Sequence, residues 1–147
     1  MNSYYTSDQT YKPNFEQMSH VLFSLGSNLG WMEASQKLMN IRPLLERMCS
    51  NLRFSSIYPT DGVGKWVGKY ANCVAEGDTT MPLNELEHGC KQLELEGGRT
   101  SMARRMGIVP IDIDVVRYND IIVRPQNLQY DYMKPGLLEL ETTLSQN

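Results

Sequence analysis

The order of two hydrophobic patterns along the chain constrains the fold more than any other feature of the sequence. Short apolar runs typical of strands occupy residues 21–25, 52–58, 70–77 and 111–116. Two stretches with a helical repeat separate the first run from the second and the third from the fourth, and they cover residues 31–49 and 82–96. This β-α-β-β-α-β order predicts an α+β fold of the ferredoxin-like, split βαβ type. We therefore expect a mainly antiparallel sheet with the helices on one face and a ligand cleft on the other.

Several segments outside these patterns carry their own predictions. Segment 59–69, with three glycines and one proline, is expected to be a long loop. Residues 97–110 and 124–127 are also predicted to be loops, and residues 121–123 a short strand. Pro43 removes one hydrogen bond of the first helix, so we expect a kink or a break near Asn40. A short closing helix is expected at Leu137–Glu141.

Length, charge and cysteine content indicate one ordinary domain. The chain has 147 residues, of which 41% are hydrophobic and 21% charged, values typical of globular proteins. Its net charge of −3 gives no general case for nucleic-acid binding, and no apolar run approaches the length of a membrane span. Its three cysteines lack metal-like spacing and are expected to be buried thiols in a reducing compartment. We expect a cytoplasmic monomer with a flexible arm at residues 1–18 and a single domain at residues 19–147.

The last apolar run carries two acidic residues, Asp112 and Asp114, two positions apart. Strand side chains alternate between faces, so both carboxylates point the same way. Two like charges side by side are costly unless a cation lies between them. The preceding segment, residues 97–110, contains three arginines and no acid. This pattern indicates a divalent metal bound together with an anion, such as Mg²⁺ with a nucleotide polyphosphate. The alternative is a solvated strand face that follows a basic loop.

Three further features each allow a structural and a functional interpretation. Asn72 lies in mid-strand, where asparagine is disfavoured, so it either reads the donor–acceptor edge of a heterocycle or makes an inter-strand hydrogen bond. Trp66 either covers a planar ligand or fixes its loop. The glycine-rich stretch Gly26–Gly30 favours a turn with a helix start over a phosphate loop, because no following Lys-Ser/Thr is present.

Several short motifs occur in order across residues 20 to 134. They are Leu25-Gly26-Ser27-Asn28-Leu29-Gly30, Ser55-Ser56-Ile57-Tyr58-Pro59-Thr60, Tyr70-Ala71-Asn72, Leu93-Glu94-x-x-Gly97-Gly98-Arg99, Arg105-Met106-Gly107 and Ile111-Asp112-Ile113-Asp114. Their order and spacing resemble 6-hydroxymethyl-7,8-dihydropterin pyrophosphokinase. That folate-pathway enzyme transfers diphosphate from ATP to a pterin alcohol and yields AMP.

The resemblance implies roles for particular residues of this chain. Asp112 and Asp114 would hold two Mg²⁺ ions that bridge the ATP phosphates and the pterin hydroxyl, and Arg99 and Arg105 would be catalytic arginines of a mobile basic loop. The positions that would bind the pterin are Thr60, Val63, Tyr70, Asn72 and Met106. Those that would bind the ATP co-substrate are Lys91, Glu94 and Val115. The implied partners are these small molecules.

The chain departs from the family pattern mainly in the phosphate-binding part. Met106 stands where the family has the aromatic residue that stacks on the pterin, and Val109 and Ser101 replace arginines. The family's Pro-His segment is represented by residues 129–132, which contain no histidine, and a later arginine is absent near Gly136. The nearby arginines that could compensate are Arg104 and Arg124.

Three functions remain open from the sequence. The first is an active pyrophosphokinase that uses ATP and Mg²⁺. The second is a catalytically weakened relative that binds a pterin or a nucleotide as a regulatory module. The third is an interaction domain whose aspartate pair is merely solvated, and the presence of Asn72 with both aspartates argues against it.

Overall fold

The structure is a computed structural model that describes residues 17–61, 69–129 and 131–145. Within these ranges the chain forms six strands and five α-helices. In chain order they are β1 (Ser19–Ser27), α1 (Trp31–Leu45), β2 (Ser50–Phe54), β3 (Tyr58–Asp61), β4 (Lys69–Thr79), α2 (Leu83–Glu96), α3 (Ser101–Arg105), β5 (Asp112–Tyr118), β6 (Ile121–Ile122), α4 (Pro125–Gln129) and α5 (Lys134–Ser145). A short 3₁₀ helix, Asp131–Met133, precedes α5. The predicted α+β fold is confirmed.

The strands form one antiparallel sheet in the order β2-β4-β1-β5-β6, and β3 also pairs with β4. Strand β1 is central because it pairs along its whole length with β4 and from Val21 to Gly26 with β5. The interior position of β1 agrees with its sequence, since Val21–Leu25 is an almost continuous apolar run. Both strands that pair with β1 come from distant parts of the chain.

The two faces of the sheet are covered differently. On one face, α1 and α2 bury the main core, a single cluster that includes Phe23 and Leu25 of β1, Leu38 of α1 and Leu86 of α2. On the other face, a smaller core joins Leu22, Val74 and Val116 to Met133 and Leu140. The second face was predicted to hold a ligand cleft. Helix α5 occupies only the part of that face near Leu22 and Val74, and the row of residues around Gly26 lies beyond it.

The expected single strand at residues 52–58 is in fact two strands, β2 and β3. Phe54 pairs with Ala75 and Tyr58 pairs with Asn72. The three residues 55–57 therefore lie opposite only two residues of β4, 73 and 74, and the pairing is irregular there. The buried Ser55 bridges this irregularity, because its Oγ accepts a hydrogen bond from the Val74 N–H at 2.9 Å. The Ser55 side chain thus accepts a hydrogen bond that a backbone carbonyl would accept in a regular sheet.

Other segment predictions also need correction. The expected break near Asn40 is absent, because α1 runs through Pro43 and ends two residues later, where one missing hydrogen bond matters little. Segment 97–110 contains helix α3, which is capped by the Thr100 hydroxyl accepting from the Ala103 N–H at 3.1 Å. The predicted loop at residues 124–127 contains the first residues of helix α4. Sequence periodicity cannot reveal helices of five residues.

Some predictions fall on residues outside the described ranges. Residues 1–16 of the expected arm, Val63 and Trp66 belong to this group. In the part of the chain that the structure describes, no helix combines the length and the apolar character needed to cross a membrane.

Candidate active site

Residues from three neighbouring strands form one row on the face opposite α1 and α2. Gly26 of β1 pairs with Asn72 of β4 on one side and with Asp112 of β5 on the other. Neighbouring strands are about 4.8 Å apart, so the backbones of Asn72 and Asp112 are separated by about 10 Å. The glycine between them carries no side chain. The row therefore leaves a gap with an amide on one side and a carboxylate on the other.

The amide of Asn72 faces this gap. A Cβ atom placed on Gly26 would lie only 2.7 Å from Asn72 Oδ1 and 3.6 Å from Cδ2 of Tyr70. The other end of the amide, Nδ2, donates a short hydrogen bond to Oγ1 of Thr60. The inter-strand hydrogen bond considered for Asn72 therefore exists, and it orients the amide with its oxygen over Gly26. The same distance to Cδ2 places the Tyr70 ring beside the gap. Burial and the charge of Asp112 raise the pKa of the Tyr70 hydroxyl.

Three carboxylates gather on the far side of the gap. Glu94, Asp112 and Asp114 each offer an oxygen, and these oxygens lie within 4.8 Å of one another. Asp112 and Asp114 are neighbours on one face of β5, as their spacing predicts. Glu94 comes from the last turn of α2, where Oε2 accepts a hydrogen bond from the Ile113 N–H at 2.7 Å. That bond ties the end of α2 to β5 and explains why Glu94 is buried.

Burial raises the pKa of two of these carboxylates, Asp114 and Glu94. Burial raises the pKa of Asp114 from 3.8 to about 6, and the charge of Asp112 acts in the same direction. Burial also raises the pKa of Glu94 from 4.5 to about 7, although the hydrogen bond from Ile113 opposes the shift. Like charges in a partly buried site are stabilised by a cation. Clustered carboxylate oxygens are the ligands that Mg²⁺ prefers, so these residues fit such an ion.

The guanidinium of Arg99 already compensates part of this charge. Its Nη1 donates to Asp112 Oδ1 at 2.7 Å, and the same nitrogen is 3.4 Å from Glu94 Oε2. Arg99 reaches this position because Gly97 and Gly98 end α2 immediately before it. Arg99 thus lies between two of the three carboxylates, as a cationic neighbour of the predicted metal site.

A cleft of about 530 Å³ surrounds these groups and is called the acidic cleft below. Its lining combines the three carboxylates with basic and polar residues of α2, α3 and the segment after β6: Asn84, Glu87, His88, Cys90, Lys91, Glu94, Arg99, Arg104, Asp112, Ile113, Asp114, Val115 and Arg124. Its wall carries both positive and negative side chains. Such a lining suits a ligand that carries phosphates together with a metal ion.

Comparison with known proteins agrees with this geometry. A sequence model of the 7,8-dihydro-6-hydroxymethylpterin-pyrophosphokinase family matches residues 22–142. The chain belongs to this pyrophosphokinase family. It is also 29% identical, over 110 residues, to the folic acid synthesis protein FOL1 of Dictyostelium discoideum. That match covers 74% of this chain but only 16% of the relative, so the chain corresponds to a small part of the longer protein.

The structure brings together most of the residues that the pyrophosphokinase resemblance selected. Lys91 and Glu94 line the acidic cleft with both aspartates and Arg99, while Thr60, Tyr70 and Asn72 lie on the same face across Gly26. Val115 borders the cleft, but its side chain is buried in the main core, so it can offer only backbone groups.

Two predicted residues lie elsewhere. Arg105 and Met106 come at the end of α3, and neither is part of the described lining of the acidic cleft. Met106 is 66% exposed. Helix α3 causes this placement, because successive residues of a helix point in different directions, and Arg104 lines the cleft instead.

Two residues at the site were missed or underrated from the sequence. The buried Asn127 of α4 donates from Nδ2 to Asp114 Oδ2 at 3.1 Å. Asn28 holds the end of segment 97–110 with two hydrogen bonds. Its Oδ1 accepts from the Val109 N–H at 2.6 Å, and its Nδ2 donates to the Gly107 carbonyl at 2.9 Å. Pro125 at the start of α4 was the available signal for a helix there. No local pattern marks either asparagine as a contact of distant residues.

Proposed function

We propose that the protein transfers diphosphate from ATP to 6-hydroxymethyl-7,8-dihydropterin in a Mg²⁺-dependent reaction of folate biosynthesis. One observation carries the proposal: Asn72 and Asp112 lie on the same face, on opposite sides of Gly26. An amide that can read a heterocycle is thereby next to carboxylates that can hold a metal ion with phosphates. Membership of the pyrophosphokinase family supports the same reaction.

The pterin would bind in the gap over Gly26. Asn72 presents its oxygen there and is held by Thr60, so it can accept a hydrogen bond from the ring with little loss of side-chain freedom. Tyr70 borders the same gap and would pack against the ring. The hydroxymethyl group of a pterin seated here would point along the row toward Asp112, where the phosphates are expected.

The nucleotide would bind in the acidic cleft. Asp112 and Asp114 are the proposed ligands of two Mg²⁺ ions, with Glu94 as a third carboxylate close by. When bound, Mg²⁺ neutralises charge on the phosphates and favours their in-line alignment with the attacking oxygen. Arg99 and Lys91 add positive charge from the α2 side of the cleft. The backbone of Val115 is available to the base or the sugar.

The reaction balances without any further reactant. The hydroxymethyl oxygen of the pterin forms a bond to the β-phosphorus of ATP. The bond between that phosphorus and the oxygen bridging to the α-phosphorus breaks, and AMP leaves with the electron pair. The hydroxyl proton passes to solvent. The residues described here contribute by binding, by orienting the two substrates and by electrostatic stabilisation.

A second candidate function is a binding module that has lost most of its turnover. The observation that favours it is the state of two substituted positions: Val109 is buried and uncharged, and the exposed Met106 has no aromatic ring. Neither residue can supply the phosphate contact or the ring stacking that the family residues at these positions would provide. We also infer that residues 19–147 act as one domain.

The test is to incubate the purified protein with ATP, Mg²⁺ and hydroxymethyl-dihydropterin and to separate the products by chromatography. We expect AMP and pterin diphosphate in equal amounts, and neither product from the Asp112→Asn variant. A protein that binds the pterin but forms no AMP above a boiled control would favour the binding module. A protein that binds neither substrate would overturn both functions.

A further inference from the structure

Arg124 lines the acidic cleft together with Arg99. It follows the short edge strand β6, and its backbone N–H donates to the Val116 carbonyl of β5 at 3.2 Å. This contact fixes the start of α4 against the strand that carries both aspartates. The side chain turns toward Asp114, with Nε 3.6 Å from Oδ1. One arginine therefore lies beside each aspartate, Arg99 at Asp112 and Arg124 at Asp114.

The two arginines differ in how fully their donors are used. Nη1 of Arg99 makes a 2.7 Å hydrogen bond to Asp112. In contrast, Nε of Arg124 is buried and has no hydrogen-bond acceptor among the residues that the structure describes. A buried donor without an acceptor costs free energy in a folded protein, and such a group at a cleft is explained when a ligand supplies the acceptor. The unused donor of Arg124 lies at the wall of the acidic cleft.

Asp114 pairs with Arg124 by charge but does not complete a hydrogen bond with its Nε. The amide of Asn127 donates to Asp114 Oδ2 at 3.1 Å, whereas the Arg124 nitrogen stays at 3.6 Å from the other oxygen. Arg124 and Asp114 therefore form an ion pair without a hydrogen bond at Nε, while Asn127 holds the other carboxylate oxygen. Because the Arg124 side chain is 39% exposed and lines the acidic cleft, its guanidinium is also within reach of an anion that enters the cleft.

We propose that Arg124 binds the polyphosphate of the nucleotide and supplies positive charge that the buried Val109 cannot. This inference rests on the proposed function, because it assigns a residue to the same transfer site. Arginine suits the role, since its planar fork donates two parallel hydrogen bonds to phosphate oxygens. With Arg99 beside Asp112, the phosphates lie between two guanidinium groups and above the aspartate pair.

Calorimetry with the 147-residue chain and Mg²⁺ tests the proposal. The ligands are α,β-methylene-ATP, whose α–β bridge is not cleaved, and AMP, which lacks the transferred diphosphate. We expect Arg124→Gln to weaken binding of the ATP analogue by at least ~10-fold, the loss typical of one charge-assisted hydrogen bond. Binding of AMP should change less than about 2-fold. Arg124→Lys, which keeps the charge, should recover part of the loss.

The matched control is Arg117→Gln, because Arg117 lies on the same strand β5 but faces a different surface groove, with His20, Asn119 and Asp120. The affinity of the Arg117→Gln variant for the ATP analogue should match that of the unmodified protein. Equal analogue binding by Arg124→Gln and the unmodified protein would overturn the assignment of Arg124 alone. An equal loss for AMP and the analogue would also overturn it, because that result indicates a structural role through Asp114. Failure of the unmodified protein to bind the analogue would overturn the proposed function as well.

Discussion

The substitution Gly26→Ala tests whether the gap between Asn72 and Asp112 is where the pterin binds. An alanine Cβ at this position would lie 2.7 Å from Asn72 Oδ1, a distance that real contacts essentially never show. The amide must therefore move by at least about 0.3 Å to reach the closest tolerated separation. Because Asn72 also donates to Thr60, the movement weakens that hydrogen bond and turns the oxygen away from the gap.

The expected cost can be worked out from these contacts. Loss of one or two hydrogen bonds to the ring costs about 1–3 kcal/mol in total, equivalent to a roughly 5- to 150-fold weaker pterin affinity. Stability should change far less. Replacing a strand glycine by alanine gains about 0.5–1 kcal/mol, and the crowding at Asn72 offsets this gain.

The assay is a fluorescence titration with the pterin, accompanied by urea unfolding of the same samples. Gly89→Ala is the matched control, since its added methyl would meet only the flexible Met48 side chain on the helical face of the sheet. The double variant Gly26→Ala, Asn72→Ala should bind the pterin no more weakly than Asn72→Ala alone, because the alanine acts through Asn72. A folded Gly26→Ala protein with pterin affinity within about 2-fold of the original would refute the reasoning.

Three further predictions concern the metal site and the core. Changing both Asp112 and Asp114 to asparagine should abolish Mg²⁺-dependent nucleotide affinity, and unchanged calorimetry would reject the metal assignment. Asn127→Ala should raise the Mg²⁺ concentration needed for nucleotide binding by about 10- to 100-fold, because Asp114 loses the amide that orients it; an unchanged Mg²⁺ titration would contradict this. Leu38→Ala, at a fully buried position of α1, should lower the free energy of unfolding by about 2–5 kcal/mol. The exposed Met39→Ala is its control and should change that free energy by less than about 0.5 kcal/mol in urea titrations.

Local patterns were sufficient for some parts of the active site. The alternation of side chains along a strand puts Asp112 and Asp114 on the same face whatever the rest of the fold does. The helical repeat of Leu38 and Leu86 likewise fixes which sides of α1 and α2 enter the core. Both features depend only on the geometry of one element.

Other parts depended on contacts between distant residues. Arg105 was expected to be catalytic from a motif, and that role stays a prediction; the described residues that line the acidic cleft include Arg104 of helix α3 and not Arg105. Arg124 and Asn127 belong to a segment expected to be a loop, and their importance follows from their distances to Asp114. Short helices contribute too few residues for a periodic signal, and packing decides where they point.

The sequence by itself determined the α+β class, the order of the main elements and the aspartate pair, because each follows from periodicity or from a short motif. Only the tertiary structure decided that Gly26 separates Asn72 from Asp112, since strand register is set by the pairing of segments more than forty residues apart. It also decided that Glu94 joins the aspartates through its hydrogen bond with Ile113. Long-range backbone pairing therefore assembled the site from groups that the chain carries far apart.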